Sequence, residues 1–216
     1  MRGRSTALEL LDVETPRHEE LFRLAGYLAF VNRWLGATRA VARELRGLPV
    51  PATLLDVGAG AGDIARDLAR RYPGLRPVAV DLSGALLALA RDLPRVRGDA
   101  RRLPFRDASV DVVASTHLFH HLTDDEAVLA LGEFARVARR RVVVSDLLRR
   151  RRAVAWIRLL TLWANRFAKF DGPLSVRRGF TLAEAESLAR RAGLGWLRAR
   201  ERFGHRFTLA GERPPG

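Results

Sequence analysis

Gly58, Gly60 and Gly62 alternate with alanines between two acids, Asp56 and Asp63. Without Cβ atoms, such a run can turn tightly and bring backbone close to a ligand. A helix N-terminus following the turn can hold a carboxylate. Further along, Asp81 closes the apolar run Val78-Ala79-Val80, and Asp99 follows Gly98. An acid at a strand tip can accept hydrogen bonds from both hydroxyls of a ribose. Asp99, at the next tip, could accept one from an adenine amino group. Then come His117, His120 and His121, the residue type that exchanges a proton near neutral pH. The combination suits a nucleoside held beside a proton acceptor.

The glycine spacing excludes two common sites. It is G-x-G-x-G, where a nicotinamide enzyme shows G-x-G-x-x-G, and no Gly-Lys-Ser/Thr follows for a phosphate-binding loop. Each acid also has a purely structural alternative. Asp56 could cap the glycine turn. Asp63 could complement a helix N-terminus. Asp107 and Asp111 are expected to shape a turn.

The elements that must position these residues alternate between strand and helix. Short apolar runs predict strands over 53–57, 77–80, 96–99, 110–115 and 142–146, with two closing strands in 195–210 that turn at Gly204. Helices are predicted over 63–71, 84–92, 124–138 with Thr123 as N-cap, and 181–192 with Thr181 and Glu184 as a capping box. Residues 7–47 read as two or three helices with an apolar stripe at Leu21, Leu24, Leu28, Val31 and Leu35, closed by Leu48-Pro49-Val50-Pro51. The expected fold is α/β. It is a Rossmann-like, doubly wound, seven-stranded, mostly parallel sheet with helices on both faces and an N-terminal helical cover. The cover occupies 1–50 and the sheet domain 51–216, with a helical insertion at about 148–178.

Composition narrows the function further. The chain has 216 residues, 48% hydrophobic, and no cysteine. That length suffices for one domain with a sizeable core. Lack of cysteine removes disulfides, thiolate metal sites and any cysteine nucleophile; no metal site is expected. No run of about 18 apolar residues suggests a membrane span. Glu9, Asp12 and Glu14 interrupt any signal-peptide core, so a cytoplasmic location is expected. The formal charge is +14, and Lys169 is the single lysine among 38 basic residues. Genome composition explains arginine over lysine but not arginine over acid, so an anionic partner stays open.

Taken together, Asp56-Val57-Gly58-x-Gly60-x-Gly62-Asp63, the Val80-Asp81-Leu82-Ser83 tip, Gly98-Asp99-Ala100, Leu103-Pro104-Phe105 and Leu118-Phe119-His120-His121 resemble the class I S-adenosylmethionine-dependent methyltransferases. The set is most similar to the small-molecule enzymes of the ubiquinone and menaquinone biosynthesis type. The resemblance implies S-adenosylmethionine as cofactor. Its methionine end would sit at Asp56, Gly58, Ala59, Gly60 and Asp63, its ribose at Asp81 and Leu82, and its adenine at Asp99 and Ala100. Thr116 and His117 would line the transfer site.

Methyl transfer to a hydroxyl also requires a proton acceptor. The candidates are His117, His120 and His121, with Tyr27 a weaker one. The acceptor should be defined by regions outside the cofactor motifs. One is the cover, with Asn32-Arg33-Trp34 and Arg39. The other is a helix expected over 153–170, with Arg158, Thr161, Asn165 and Lys169 on one stripe and Trp156, Ile157, Leu159, Leu160, Trp163, Phe167 and Phe170 around the rest. It reads as a packed core helix, a lid over an apolar acceptor, or a surface helix touching a membrane through 149–170. Asp171–Arg178 is expected to be a turn at the pocket mouth. The expected acceptor is small and aromatic or lipophilic, methylated on oxygen or carbon. Two rivals remain: a nucleic-acid methyltransferase, disfavoured by Ser115-Thr116-His117-Leu118 where an Asp/Asn-Pro-Pro motif would stand, and a non-catalytic S-adenosylmethionine-binding protein.

Overall fold

The computed structural model describes residues 3–10, 18–161 and 166–214. The cover contributes α1 (His18–Trp34) and α2 (Ala37–Glu44). The alternating part follows as β1 (Ala52–Val57), α3 (Asp63–Arg71), β2 (Leu75–Asp81), α4 (Gly84–Leu87), β3 (Arg95–Arg97), β4 (Val110–Thr116), a 3₁₀ turn over Phe119–His121, α5 (Asp124–Val137) and β5 (Ala138–Leu147). Then come α6 (Arg151–Leu160), α7 (Arg166–Arg178), α8 (Leu182–Arg191), β6 (Arg198–Arg202) and β7 (Arg206–Glu212).

The strands form one seven-stranded sheet in the order β3-β2-β1-β4-β5-β7-β6. The first five are parallel, and β7 runs antiparallel to both neighbours. Strand order reverses between β1 and β4. Open sheets of this kind bind ligands there, outside the carboxyl ends of the strands.

Alternation along the central strands supplies a core on each face. Leu55, Val57 and Val113 pack with Phe119, Leu131, Phe134 and Leu188, under α5 and α8. Leu54, Val112 and Val143 face the other way and pack with Val41, Leu45, Ile64 and Leu68, under α2 and α3. Both predicted helix starts carry their caps. Thr123 with Glu126 and Thr181 with Glu184 form full capping boxes.

Several elements depart from the expectations. The helix expected over 84–92 ends at Leu87, because Ala90 and Leu93 turn in beneath Gly62. β5 begins at Ala138, four residues early. Its arginines are accommodated at the strand's start, where Arg139 and Arg140 meet Asp111 and Arg141 meets Glu212. Asp111 lies inside β4, not in a turn, and accepts from the backbone and hydroxyl of Thr53, both at 2.8 Å.

The insertion is two helices rather than one. Asp171–Arg178 is the second half of α7, with Pro173 inside it, and not a turn. Gly172 explains why an Asp-Gly-Pro sequence can be helical here. A Cβ on it would lie 3.1 Å from Ile157 and 3.3 Å from Thr161, so the glycine lets α6 and α7 approach closely. The expected polar stripe is kept only in part, with Arg158 and Lys169 exposed. Thr161 is buried, while Trp156, Leu159 and Phe170 are exposed. Trp163, Asn165 and the side chains of Leu160 and Phe167 lie outside the described residues.

Candidate active site

The glycine turn leaves β1 at the switch point. Gly58, Gly60 and Gly62 all have positive φ, of 75°, 54° and 77°, which a side chain would resist. Gly58 and Ala59 donate to Val80 O at 2.8 and 3.0 Å, and Gly60 donates to Asp81 Oδ2 at 2.7 Å. Asp81 Oδ1 accepts from Ser83 N at 2.8 Å. The β2 tip thus braces the turn through the same acid expected to hold a ribose. Leu82, beside it, is exposed, and Ala100 is buried.

Asp56 is 2% exposed, and its Oδ2 has no hydrogen-bond partner. Burial, with the Asp63 and Asp81 carboxylates close by, pushes its pKa up to about 7, against an N–H bond from Ala65. Asp63 is also raised by burial, opposed by Asn32, whose Nδ2 donates to it at 3.0 Å. Three acids around one turn, one of them an orphan, are a receptor for a cation. An α-ammonium or a sulfonium fits that description.

Asp99 sits at the same edge but is engaged differently. Arg101 pairs with it at 2.6 Å and holds its pKa below the usual carboxylate range. A role at adenine requires that pair to share the carboxylate. Thr116 ends β4, buried, with an unpartnered Oγ1. Arg39 is exposed.

Beyond β4 and β5 lies a cavity of 790 Å³. Much of its wall is apolar, including Leu24, Leu28, Val31, Leu35, Ile157 and Val176. Four of the five stripe positions of the cover helix therefore face the cavity, and Tyr27 joins them half-buried. His117, His120 and His121 form the wall nearest the sheet.

The three histidines are not equivalent. His120 is buried, and its Nδ1 lies 2.7 Å from Asp146 Oδ1, while its backbone N donates to Asp146 Oδ2 at 3.2 Å. Burial alone would raise the Asp146 carboxyl, but the His120 and His117 imidazoles hold it well below the usual range. An ionised Asp146 keeps the proton on Nδ1 and leaves the Nε2 lone pair available. Glu9 Oε1 lies 3.8 Å from that Nε2. Burial raises Glu9 to about 7, against the His121 imidazole and the Ser175 hydroxyl, which donates at 2.9 Å.

His117 has φ 58° and its Nε2 is 2.5 Å from Arg206 Nη2. The guanidinium must donate, so that nitrogen's lone pair is engaged. Burial and the adjacent Arg206 charge push His117 well below its ordinary pKa. Burial raises the Asp81 carboxyl, against the N–H donors of Ser83 and Gly60 and the nearby His121 ring, so His121 stands close to both halves of the site.

The sequence pattern did not single out Asp146, Glu9, Ser175 or Arg206 as site residues. Asp146 has a signal of the same kind as Asp81, an acid at the tip of a parallel strand. Glu9 and Arg206 have none, because long-range packing brings them in.

Comparison with known proteins agrees with this geometry. Residues 55–144 match a family described as a methyltransferase domain. The chain is 36% identical over 148 residues to a demethylmenaquinone methyltransferase of Thermotoga maritima, covering 66% of this chain and 62% of that protein. It is 45% identical over 80 residues to a malonyl-[acyl-carrier protein] O-methyltransferase of Geobacter sulfurreducens, covering 34% and 30%. The chain therefore spans less than two thirds of either relative. A SAM-dependent methyltransferase from Aquifex aeolicus shares the fold, with TM-score 0.65 at 18% identity over 92% of this chain and 99% of that one. Residues 55–144 thus match a methyltransferase-domain family, and the whole sheet shares the fold of the Aquifex aeolicus SAM-dependent methyltransferase.

Proposed function

We propose that this chain methylates a hydroxyl oxygen of a small, largely apolar acceptor, such as a phenol or quinol, held in the 790 Å³ cavity. The observation that carries the reading is the buried His120–Asp146 pair on that cavity's wall. S-adenosylmethionine supplies a methyl group already activated on a sulfonium. Asp56, Asp63 and the glycine turn would hold its amino-acid end, and Asp81 its ribose. His120 Nε2 takes the hydroxyl proton as the oxygen gains the methyl group. Asp146 orients the imidazole and stabilises its protonated form, a contribution of about 10²–10⁴ in rate for a positioned base.

The cavity mouth supports a lipophilic acceptor. Leu28, Trp156 and Phe203 line it while 39%, 62% and 41% exposed. Arg150 and Arg152 stand beside them, so a peripheral contact with an anionic membrane through 149–170 is part of this reading. No helix among the described residues is long and apolar enough to cross a membrane. A carbon acceptor would use the same dyad to ionise a ring hydroxyl first. The nucleic-acid alternative draws less support. Arginines 66, 101, 136, 149 and 202 are paired with carboxylates.

The experiment is calorimetry with S-adenosylmethionine and S-adenosylhomocysteine, followed by product analysis with phenols, naphthols and hydroquinones. Micromolar binding with methyl ether formation is expected. Binding without product across the panel would instead favour a non-catalytic cofactor-binding protein.

A further inference from the structure

Arg206 is a buried charged group in the cavity wall that proton transfer does not explain. It opens β7 and is 1% exposed. Among the described residues no carboxylate lies within ion-pairing distance of it. Asp146 is the one acid that offsets its charge, from further away, and burial still pushes its pKa down to about 10. Nε donates to Leu35 O at 3.2 Å, just past the end of α1. Nη2 meets His117 Nε2, a neutral acceptor. Nη1 has no partner at all. A guanidinium is rarely buried without an anion, because desolvation must be offset by a partner. This one lines a cavity built mainly of apolar side chains.

We infer that Arg206 is the anchor for an anionic oxygen carried by the ligand of this cavity, a carboxylate or an acidic enol or phenol oxygen on an aromatic body. Position supports the assignment. The His117 ring, which Arg206 contacts, has its centroid 6.1 Å from that of His120. Arg206 and His120 thus border the same cavity wall, with His117 in contact with the first and beside the second. A hydroxyarene carrying an acidic oxygen at a second position satisfies both at once. That this ligand is the methyl acceptor rests on the methyltransferase reading; the anion site itself does not.

Two matched probes test the inference by calorimetry on the full chain saturated with S-adenosylhomocysteine: 6-hydroxy-2-naphthoate and 2-naphthol. The wild type should bind the naphthoate at least tenfold more tightly. Arg206→Met should bring the two affinities within about twofold, and Arg206→Lys should keep a reduced preference. A wild type that does not discriminate, or an Arg206→Met variant with the preference intact, overturns the assignment. If Arg206→Met does not fold by circular dichroism, Arg206→Lys and Arg206→Gln decide, and undiminished preference in both overturns it equally. Binding of S-adenosylhomocysteine is read separately. Its absence in a folded wild type would sink the methyltransferase reading while leaving the naphthoate comparison, run without it, to judge the anion site.

Discussion

His120 Nδ1 and Asp146 Oδ1 lie 2.7 Å apart, with both residues removed from solvent. The carboxylate also accepts from Leu147 N at 2.6 Å and His120 N at 3.2 Å. It is therefore fixed before any ligand arrives, and the imidazole tautomer is fixed with it. Asp146→Asn keeps the shape but offers an amide where the tautomer needs an acceptor. Single-turnover rates should fall by about 10²-fold or more, with S-adenosylhomocysteine affinity within twofold of wild type. An unchanged rate would remove the dyad from the mechanism.

Asp56 makes cofactor binding and stability respond to pH in opposite ways. Its folded pKa, about 7, lies above the ordinary carboxylate value. Between about pH 4 and pH 7 the folded chain holds a proton that the unfolded chain has released, so this group's contribution to stability declines as pH rises through that window. A cationic ligand group prefers the ionised form. Cofactor affinity should therefore rise from pH 5.5 to 7.5, with proton release visible as a buffer-dependent calorimetric enthalpy. Asp56→Asn should raise the ligand-free Tm at pH 8, by about 2–4 °C for each kcal/mol recovered, and flatten the affinity profile. A profile that stays steep in the variant assigns the titration to another group.

Asp81 should matter twice, as a ribose contact and as the brace for Gly60 N. Asp81→Ala is expected to weaken S-adenosylhomocysteine at least tenfold, since hydrogen bonds to a charged group contribute about 1.5–3 kcal/mol each. Equal calorimetric affinity in wild type and variant would contradict the ribose assignment.

The exposed Trp156 at the cavity mouth predicts a split between the two ligands. Trp156→Glu should raise the KM of lipophilic phenols severalfold and reduce sedimentation with anionic vesicles, while cofactor binding stays constant. Parallel loss of both affinities would mean that α6 supports the whole domain rather than the acceptor's path.

The glycine turn and the acids around it are legible in the residues because their arrangement is local. Gly58 to Asp63 are consecutive, and Asp81 ends an apolar run that announces a strand. The cavity wall is assembled across the chain. Glu9 meets Ser175, and Arg206 meets His117, over separations that no spacing rule can span. The insertion misled for another reason. Gly172 and Pro173 carry turn propensity, yet the packing of Ile157 against Gly172 outweighs it. The cover stripe from Leu24 to Leu35 was correctly seen as apolar, but periodicity does not distinguish a core from a cavity wall.

The reversed direction of β7 has a consequence for how such a protein can change. Its register sets Phe207 beside Asp146 and Arg206 beside Leu147, so a strand's beginning joins the edge where β5 ends. Phe207 and Leu209 of that hairpin belong to the main core, whereas Phe203 to Arg206 line the cavity. Recoding for a different client would therefore be confined to the few residues at the hairpin's bend, leaving the strands that hold the sheet together untouched.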